Sequence, residues 1–452
     1  MQRMLASPSS RSSSVGIAIA AAFGIVACAA VTLFAGTKTG MVMALVSVAG
    51  PVLLYAAIVA PLVFPFCAYV ALVPFDNILD ISAFGTLTKI LGIVSGAAIL
   101  FYLVRTRKAV RPSPALLLFG ALYFWMVLSA FWALDTASVF SLLPTMVALL
   151  VLYAAISLFP ADERSVRWVV LTTILGSVVA ALYGAYLFHH GLDARNNRLW
   201  ITTDTGTIDP NHFAAAMLLP AALALGIAVY ARKLVVVLAA SAAVVVLLLG
   251  IAESGSRGAV LGVALGGIYI FVRTNRKLRL ALIGLPMAIG AFLLSLQTSL
   301  WSRFGESIEY GGSGRVPIWH VGLHALQSYW FLGAGFNNFA FAYDRALMQT
   351  HQFAFEHWHR GPHDIVLQTW VEMGIVGVAL VAAVWVSQFR MLSCIDRADR
   401  DYPMRLALEA TLIATLVAAL FLDIMAFKYV WLTFMLIALA RNAHLRRVAN
   451  HA

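Results

Sequence analysis

The chain is a succession of apolar runs, each about the length of a membrane-crossing helix and set apart by short polar breaks. The runs fall at 15–35, 84–104, 115–133, 138–159, 168–188, 210–230, 234–251, 258–272, 280–296, 365–388, 406–426 and 428–441. Only helices and closed barrels satisfy their backbone polar groups inside a bilayer, and unbroken apolar runs of this length fit helices. The pattern predicts an all-α polytopic membrane protein with about 12–14 transmembrane helices. Composition agrees: 62% of the 452 residues are hydrophobic and 11% charged, against about 45–50% and about 25% in soluble domains. So little polar surface excludes a secreted globule, a nucleic-acid-binding module and a disordered chain.

The net charge of +11 and the pI near 9.8 follow from the usual excess of Lys and Arg in cytoplasmic loops. The stretch 41–74 holds Pro51, Pro61, Pro65 and Pro74 and reads as one kinked helix or as two short passes. Two passes put Arg105, Arg107, Lys108 and Arg111 on the same side as Arg3 and Arg11, as the charge rule prefers. Later loops then alternate. Arg164 and Arg167, Arg232 and Lys233, Arg273 to Arg279, Arg390 to Arg405 and Arg441 to Arg447 lie inside, bringing the inner share to about two thirds of the 31 basic residues. Both chain ends are expected in the cytoplasm, and the first run reads as a retained helix, not a signal peptide. Cys28, Cys67 and Cys394 are too few and too scattered for a disulfide framework.

Two outer connections are long, 189–209 and 297–364. Loops beyond about 12–15 residues usually carry function. The chain thus divides into a transmembrane bundle over 1–296, a large outer loop over 297–364 and C-terminal membrane helices over 365–452. Within the loop, RVPIWHVGLHALQSYWFLGAG predicts an amphipathic interfacial helix, with Pro317 in its first turn and Gly333 and Gly335 at its end.

Nine of the eleven histidines fall on the outer side or its edge: His189, His190, His212, His320, His324, His351, His357, His359 and His363. Arg198, Arg257, Arg315 and Arg360 join them on the side where basic residues are scarce. Guanidinium forks grip phosphate oxygens in pairs, so an anionic ligand at the outer face is the natural reason for these arginines. Arg257 stands in the Gly/Ser-rich turn ESGSRG; the bland reading is a snorkelling helix cap. Arg198 precedes a Thr-rich stretch and then Asp209-Pro210, an N-cap followed by a first helical residue.

His363 follows Gly361-Pro362 where the large loop returns to the membrane. A rigid helix start suits a proton-transfer group, and an unperturbed pKa of about 6.5 suits a general base. On the helix beginning there, Gln368 lies beside the His363 face, and Glu372 lies two turns deeper, where a carboxylate is costly unless paired or functional. The competing reading makes His363 a helix cap, with Asp364 or Glu372 as the base. The pairs His320/His324 and His357/His359 have ligand-like spacings but no acidic partners, so they read as interfacial histidines and no metal is expected.

With these residues in view, the chain resembles the bacterial O-antigen ligase and O-antigen polymerase superfamily. Four ordered segments carry the resemblance: RLWITTDTGTIDPNHFAAAMLLP, ESGSRGAVLG, SGRVPIWHVGLHALQSYWFLGAGFNNF and PHDIVLQTWVEMGIVG. Together they cover 198 to 378; the first half matches only in hydropathy. The resemblance implies a GT-C-like enzyme of the inner membrane that works on the periplasmic side without metal or other cofactor. Its donor would be a glycan on undecaprenyl diphosphate, and its acceptor lipid A–core or another glycan, with membrane lipids around it and no nucleic acid. By their motifs Arg198, Arg257 and Arg315 would bind substrate and His363 would be catalytic; Gln368 and Glu372 join the substrate-binding candidates. The family often has Asn or Ser where this chain has Asp364, which leaves the orientation of the histidine open. Ligation to lipid A–core leads, with O-antigen or exopolysaccharide polymerisation and protein O-glycosylation as alternatives. Transport of a lipid-linked anion is further off, because no internal repeat accompanies the intramembrane charges Glu372 and Asp423.

Overall fold

The structure is a computed structural model describing residues 50–80, 85–191, 194–195, 198–203, 206–296, 298, 300–301, 305, 315–350 and 358–451. Helices α1 (Gly50–Val59) and α2 (Leu62–Phe75) meet at 109°. The part of 41–74 that is described therefore holds two helical pieces; residues 41–49 and the expected span at 15–35 lie outside the described residues. Helices α3 (Leu87–Thr106), α4 (Pro114–Leu128), α5 (Thr136–Ser157) and α6 (Glu163–His189) follow. Two short antiparallel hairpins come next, β1 (Ala194–Arg195) with β2 (Arg198–Leu199) and β3 (Ile201–Thr203) with β4 (Gly206–Ile208). They lead into α7 (Pro210–Tyr230), α8 (Leu234–Glu253), α9 (Arg257–Arg273) and α10 (Lys277–Ser295). After the large loop's α11 (Arg315–Tyr329) and α12 (Phe339–Thr350), the chain ends in α13 (Ile365–Leu392), α14 (Tyr402–Ala419) and α15 (Lys428–His451).

Among the described residues nine helices are long and apolar enough to cross a membrane, or ten if α1 and α2 make one span. The 17-residue α9 and the arginine-tailed α15 are helical where spans 258–272 and 428–441 were expected, although neither is among the nine. Residues 429–440 of α15 are buried without interruption, as befits a helix apolar on every side at the centre of a bundle. Small residues set the closest approach. Gly262 and Gly266 of α9 face the backbone of Ala414 and Ala410 on α14, and a Cβ at Gly262 would meet the Ala414 carbonyl at 2.5 Å. Such small-residue spacing lets membrane helices pack by van der Waals contact, where lipid offers no hydrophobic driving force.

Carboxylates start several helices. Asp135, Asp162, Asp209 and Asp364 cap α5, α6, α7 and α13 by accepting first-turn backbone N–H bonds. Each cap satisfies donors that have no partner within the helix and places negative charge at the positive end of its dipole.

Helix α13 is broken at Gly374, whose φ of 65° and ψ of −170° no helix holds. The broken turn is hydrogen-bonded by other segments. Ala334 N–H donates to Val371 O at 2.8 Å, Gly335 N–H to Glu372 O at 2.9 Å, and the Trp125 indole N–H to Met373 O at 2.9 Å. Ile375 N–H in turn donates to Trp330 O at 2.9 Å. Irregular backbone at membrane depth survives only when buried protein groups satisfy it, as the 330–335 turn does here. A side chain at Gly374 would overlap the Phe331 carbonyl.

Candidate functional site

At the end of the bundle where α7 and α13 begin, two histidines converge on one carboxylate. Asp423 Oδ1 lies 3.6 Å from His212 Nε2 and 3.9 Å from His363 Nδ1. His212 stands in the first turn of α7, placed there by the Asp209 cap: Asp209 Oδ1 accepts from Asn211 N at 2.8 Å and His212 N at 3.4 Å. Its ring stacks on Phe427 with centroids 3.7 Å apart, and its Nδ1 is 3.2 Å from the Tyr429 hydroxyl. The apolar run 406–426 reads as one helix, but α14 stops at Ala419, and Asp423 lies in the connection to α15. That connection turns the carboxylate toward the histidines.

His363 is not on α13. It sits at φ 47° two residues ahead of the helix, whereas Asp364 does the capping, accepting from Val366 N and Leu367 N at 2.8 Å each. A left-handed non-glycine residue is a local strain that persists where the surroundings fix it. Here Trp319 of α11 donates its indole N–H to the Pro362 carbonyl at 3.0 Å, tying the two segments together. Gly322 adds a second seam, packing on Leu367 and Phe339. Arg315 stands one turn before Trp319, at the start of the same helix.

The electrostatics follow from this placement. Burial lowers the His363 pKa from its ordinary value of 6.5; Asp423 opposes that and Arg315 reinforces it, leaving the imidazole shifted toward its neutral form. Burial opposes ionisation of Asp423, but the contact with His212 and the charges of both histidines outweigh it and hold the carboxyl below the usual range. A neutral imidazole beside an ionised carboxylate is the combination a proton acceptor requires.

Arg198 extends the cluster. Its Nε–H donates to the Ser254 carbonyl at 2.8 Å and its Nη2 to Asn211 Oδ1 at 2.9 Å, joining β2 to the α8–α9 turn and to the residue before His212. Gly255, at φ 63°, shapes that turn just ahead of Arg257, the first residue of α9. Glu253, the last residue of α8, meets His189 Nε2 at 2.9 Å. The first two arginine candidates thus border one turn, and Arg315 acts on His363 through its charge.

Gln368 and Glu372 lie deeper on α13. Gln368 Nε2 is 3.4 Å from Glu372 Oε1, and Glu372 is 2% exposed, beside the 333–339 turn that satisfies the broken helix. Arg360 has its Nε buried without a hydrogen-bond partner among the described residues. His320 and His324 join no ligand group among the described residues, and His351 and His357 lie outside them. The one metal-suited group among the described residues, Asp399, Asp401 and His444, belongs to the other end of the chain's helices, and Arg447 bridges both of its carboxylates. Sequence reasoning gave His212 and Asp423 no role in the site. The available signal was a lone charge in the apolar run FLDIMAF, since a charge at such depth is expensive unless it is used.

The fold and site define a polytopic helical membrane protein with a histidine–carboxylate–arginine cluster at one end. Residues 242–382 match the family model for O-antigen ligase, a match that supports the O-antigen ligase superfamily. The family implies a glycosyltransferase-like enzyme acting on lipid-linked glycans. The matched stretch contains Arg257, Arg315 and His363, whereas Arg198, His212 and Asp423 lie outside it and reach the same cluster through the fold. No curated protein matches the chain.

Proposed function

We propose that the chain moves a glycan from undecaprenyl diphosphate to an acceptor hydroxyl at the periplasmic face of the inner membrane, ligating O-antigen to lipid A–core. The observation that carries this reading is His363 Nδ1 at 3.9 Å from Asp423 Oδ1, with burial and the charge of Arg315 shifting the ring toward its neutral form. In the reaction the acceptor oxygen attacks the anomeric carbon of the donor's first sugar. The bond from that carbon to the diphosphate oxygen breaks, and undecaprenyl diphosphate leaves with the electron pair. His363 Nδ1 faces Asp423, so Nε2 takes the acceptor proton while the carboxylate stabilises the resulting imidazolium. Arg198, Arg257 and Arg315 hold the diphosphate, supplying the positive charge that would otherwise come from a divalent metal. Gln368 and Glu372 act behind them as substrate-positioning groups.

The test is transfer by the purified full chain supplied with a lipid-linked glycan and lipid A–core. A glycosylated core product supports ligation. Elongated lipid-linked glycan without core product replaces that reading with polymerisation.

A further inference from the structure

At the opposite end of the bundle, α4, α13 and α15 surround a cavity of about 630 Å³. Its polar end is made by Arg390, Arg441 and Ser113; Leu118, Ala383 and Val386 line its apolar part. Pockets of about 300–1,000 Å³ accommodate compact organic ligands. From the break at Gly374, α13 runs on to Leu392, about 27 Å of helix at 1.5 Å per residue. That is close to the thickness of a bilayer's hydrocarbon core, about 30 Å. Arg390 therefore stands at the membrane surface opposite the one next to His363.

Three features of the cavity call for an anion. Among the described residues neither Arg390 nor Arg441 is in an ion pair, whereas Arg405 and Arg447 at the same end are paired with Glu409 and with Asp399 and Asp401. Ser113, the residue before α4, is 3% exposed and makes no capping bond to its own helix. Among the described residues no hydrogen bond of good geometry fixes its hydroxyl, which neighbours the Tyr153 hydroxyl. The 15-residue α4 thus opens on the cavity with a hydroxyl not used for capping and the positive end of its dipole.

The walls distinguish a lipid from a free ion. Leu117 on α4 is 79% exposed, and Val386 on α13 is 48% exposed, giving apolar tracks that continue from the polar end along the two helices. Basic pockets between membrane helices bind anionic lipid head groups in this manner. We propose that this cavity holds the phosphate head group of an anionic phospholipid in the leaflet opposite the His363 site, with its acyl chains lying along α4 and α13.

Native mass spectrometry of the full chain in detergent tests the assignment, with phosphatidylglycerol, cardiolipin and phosphatidylcholine as probes. The wild type should retain the two anionic lipids about tenfold better than the zwitterionic one, and R390Q/R441Q should abolish that preference. Two controls separate a site from diffuse charge. Arg397→Gln removes an exposed cation from the same end and should leave the preference intact. Val386→Trp fills the apolar part while keeping both arginines, and should weaken retention. Equal retention of all three lipids, an unchanged preference in R390Q/R441Q, or an equal loss in R397Q overturns the proposal. Displacement of the lipid by millimolar inorganic phosphate makes it a free-anion site instead.

Discussion

His363 and His212 share Asp423: both imidazoles approach the same carboxylate oxygen, at 3.9 and 3.6 Å, from segments about 150 residues apart in the chain. His212 is fixed by its stack on Phe427 and its contact with Tyr429. His363 has no comparable ring partner among the described residues, and its side chain is 43% exposed. His212 is thus the enclosed partner of the carboxylate and His363 the more exposed one.

His363→Ala should cut turnover by about 10²- to 10⁴-fold, the usual contribution of a positioned acid–base group. Donor binding should persist. The wild-type rate should fall as pH drops through a midpoint below 6.5, since burial and Arg315 favour the neutral ring. Near-normal transfer by His363→Gln, measured beside donor binding, would remove the histidine from the chemistry.

Asp423→Asn removes the charge that raises the His363 pKa. The acid limb should move to still lower pH while the plateau rate falls, because a weaker base takes the proton less readily. A pH–rate profile showing a lower plateau with an unmoved limb would mean that Asp423 acts only through packing.

Arg315→Ala should displace the same limb the other way, since the guanidinium lowers the His363 pKa. Donor affinity should drop as well. Arg315→Lys keeps the charge and hence the limb, but restores donor binding only in part, because an ammonium lacks the paired donors of the fork. Wild-type donor affinity in the alanine variant would sink the assignment.

Trp319→Phe deletes the bond to the Pro362 carbonyl and keeps most of the packing. It should cost about 1 kcal/mol of stability, typical of one hydrogen bond. It should also lower the rate more than it weakens donor binding, because the His363 backbone loses its tether to α11. Thermal unfolding and transfer measured on the same preparation check both parts.

Chelation should leave transfer intact, since the proposed cationic groups are side chains. Incubation with EDTA followed by transfer in metal-free buffer is the check. Activity lost on chelation and regained with Mg²⁺ would assign a divalent ion a role now given to the arginines.

Much of the bundle is legible because helix spans and caps are local codes. Apolar length marks α3 to α8, Asp209-Pro210 marks the start of α7, and the tryptophan-rich stretch after Arg315 marks α11. The Gly374 break is not legible: WVEMGIVG reads as continuous helix, and what stops it is backbone bonding from Trp330, Ala334 and Gly335 across the fold. The site divides along the same line. Arg198, Arg257, Arg315 and His363 stand out by their neighbours in sequence, whereas the convergence of His212 on Asp423 depends on how α7 packs beside α15.

The turn that closes the break in α13 carries an evolutionary consequence. Three backbone bonds run between residues 330–335 and the interrupted helix, with a fourth bond from the Trp125 indole of α4, so the extramembrane loop and the membrane span are one hydrogen-bonded unit. Recombination that exchanged the loop between relatives would strand amide groups in a nonpolar medium unless its descending end were inherited with it. Diversification toward new glycans is therefore channelled into point substitutions and into length changes away from 330–335. Chimeras joined within this turn should fail to insert, and those joined after Leu392 should not.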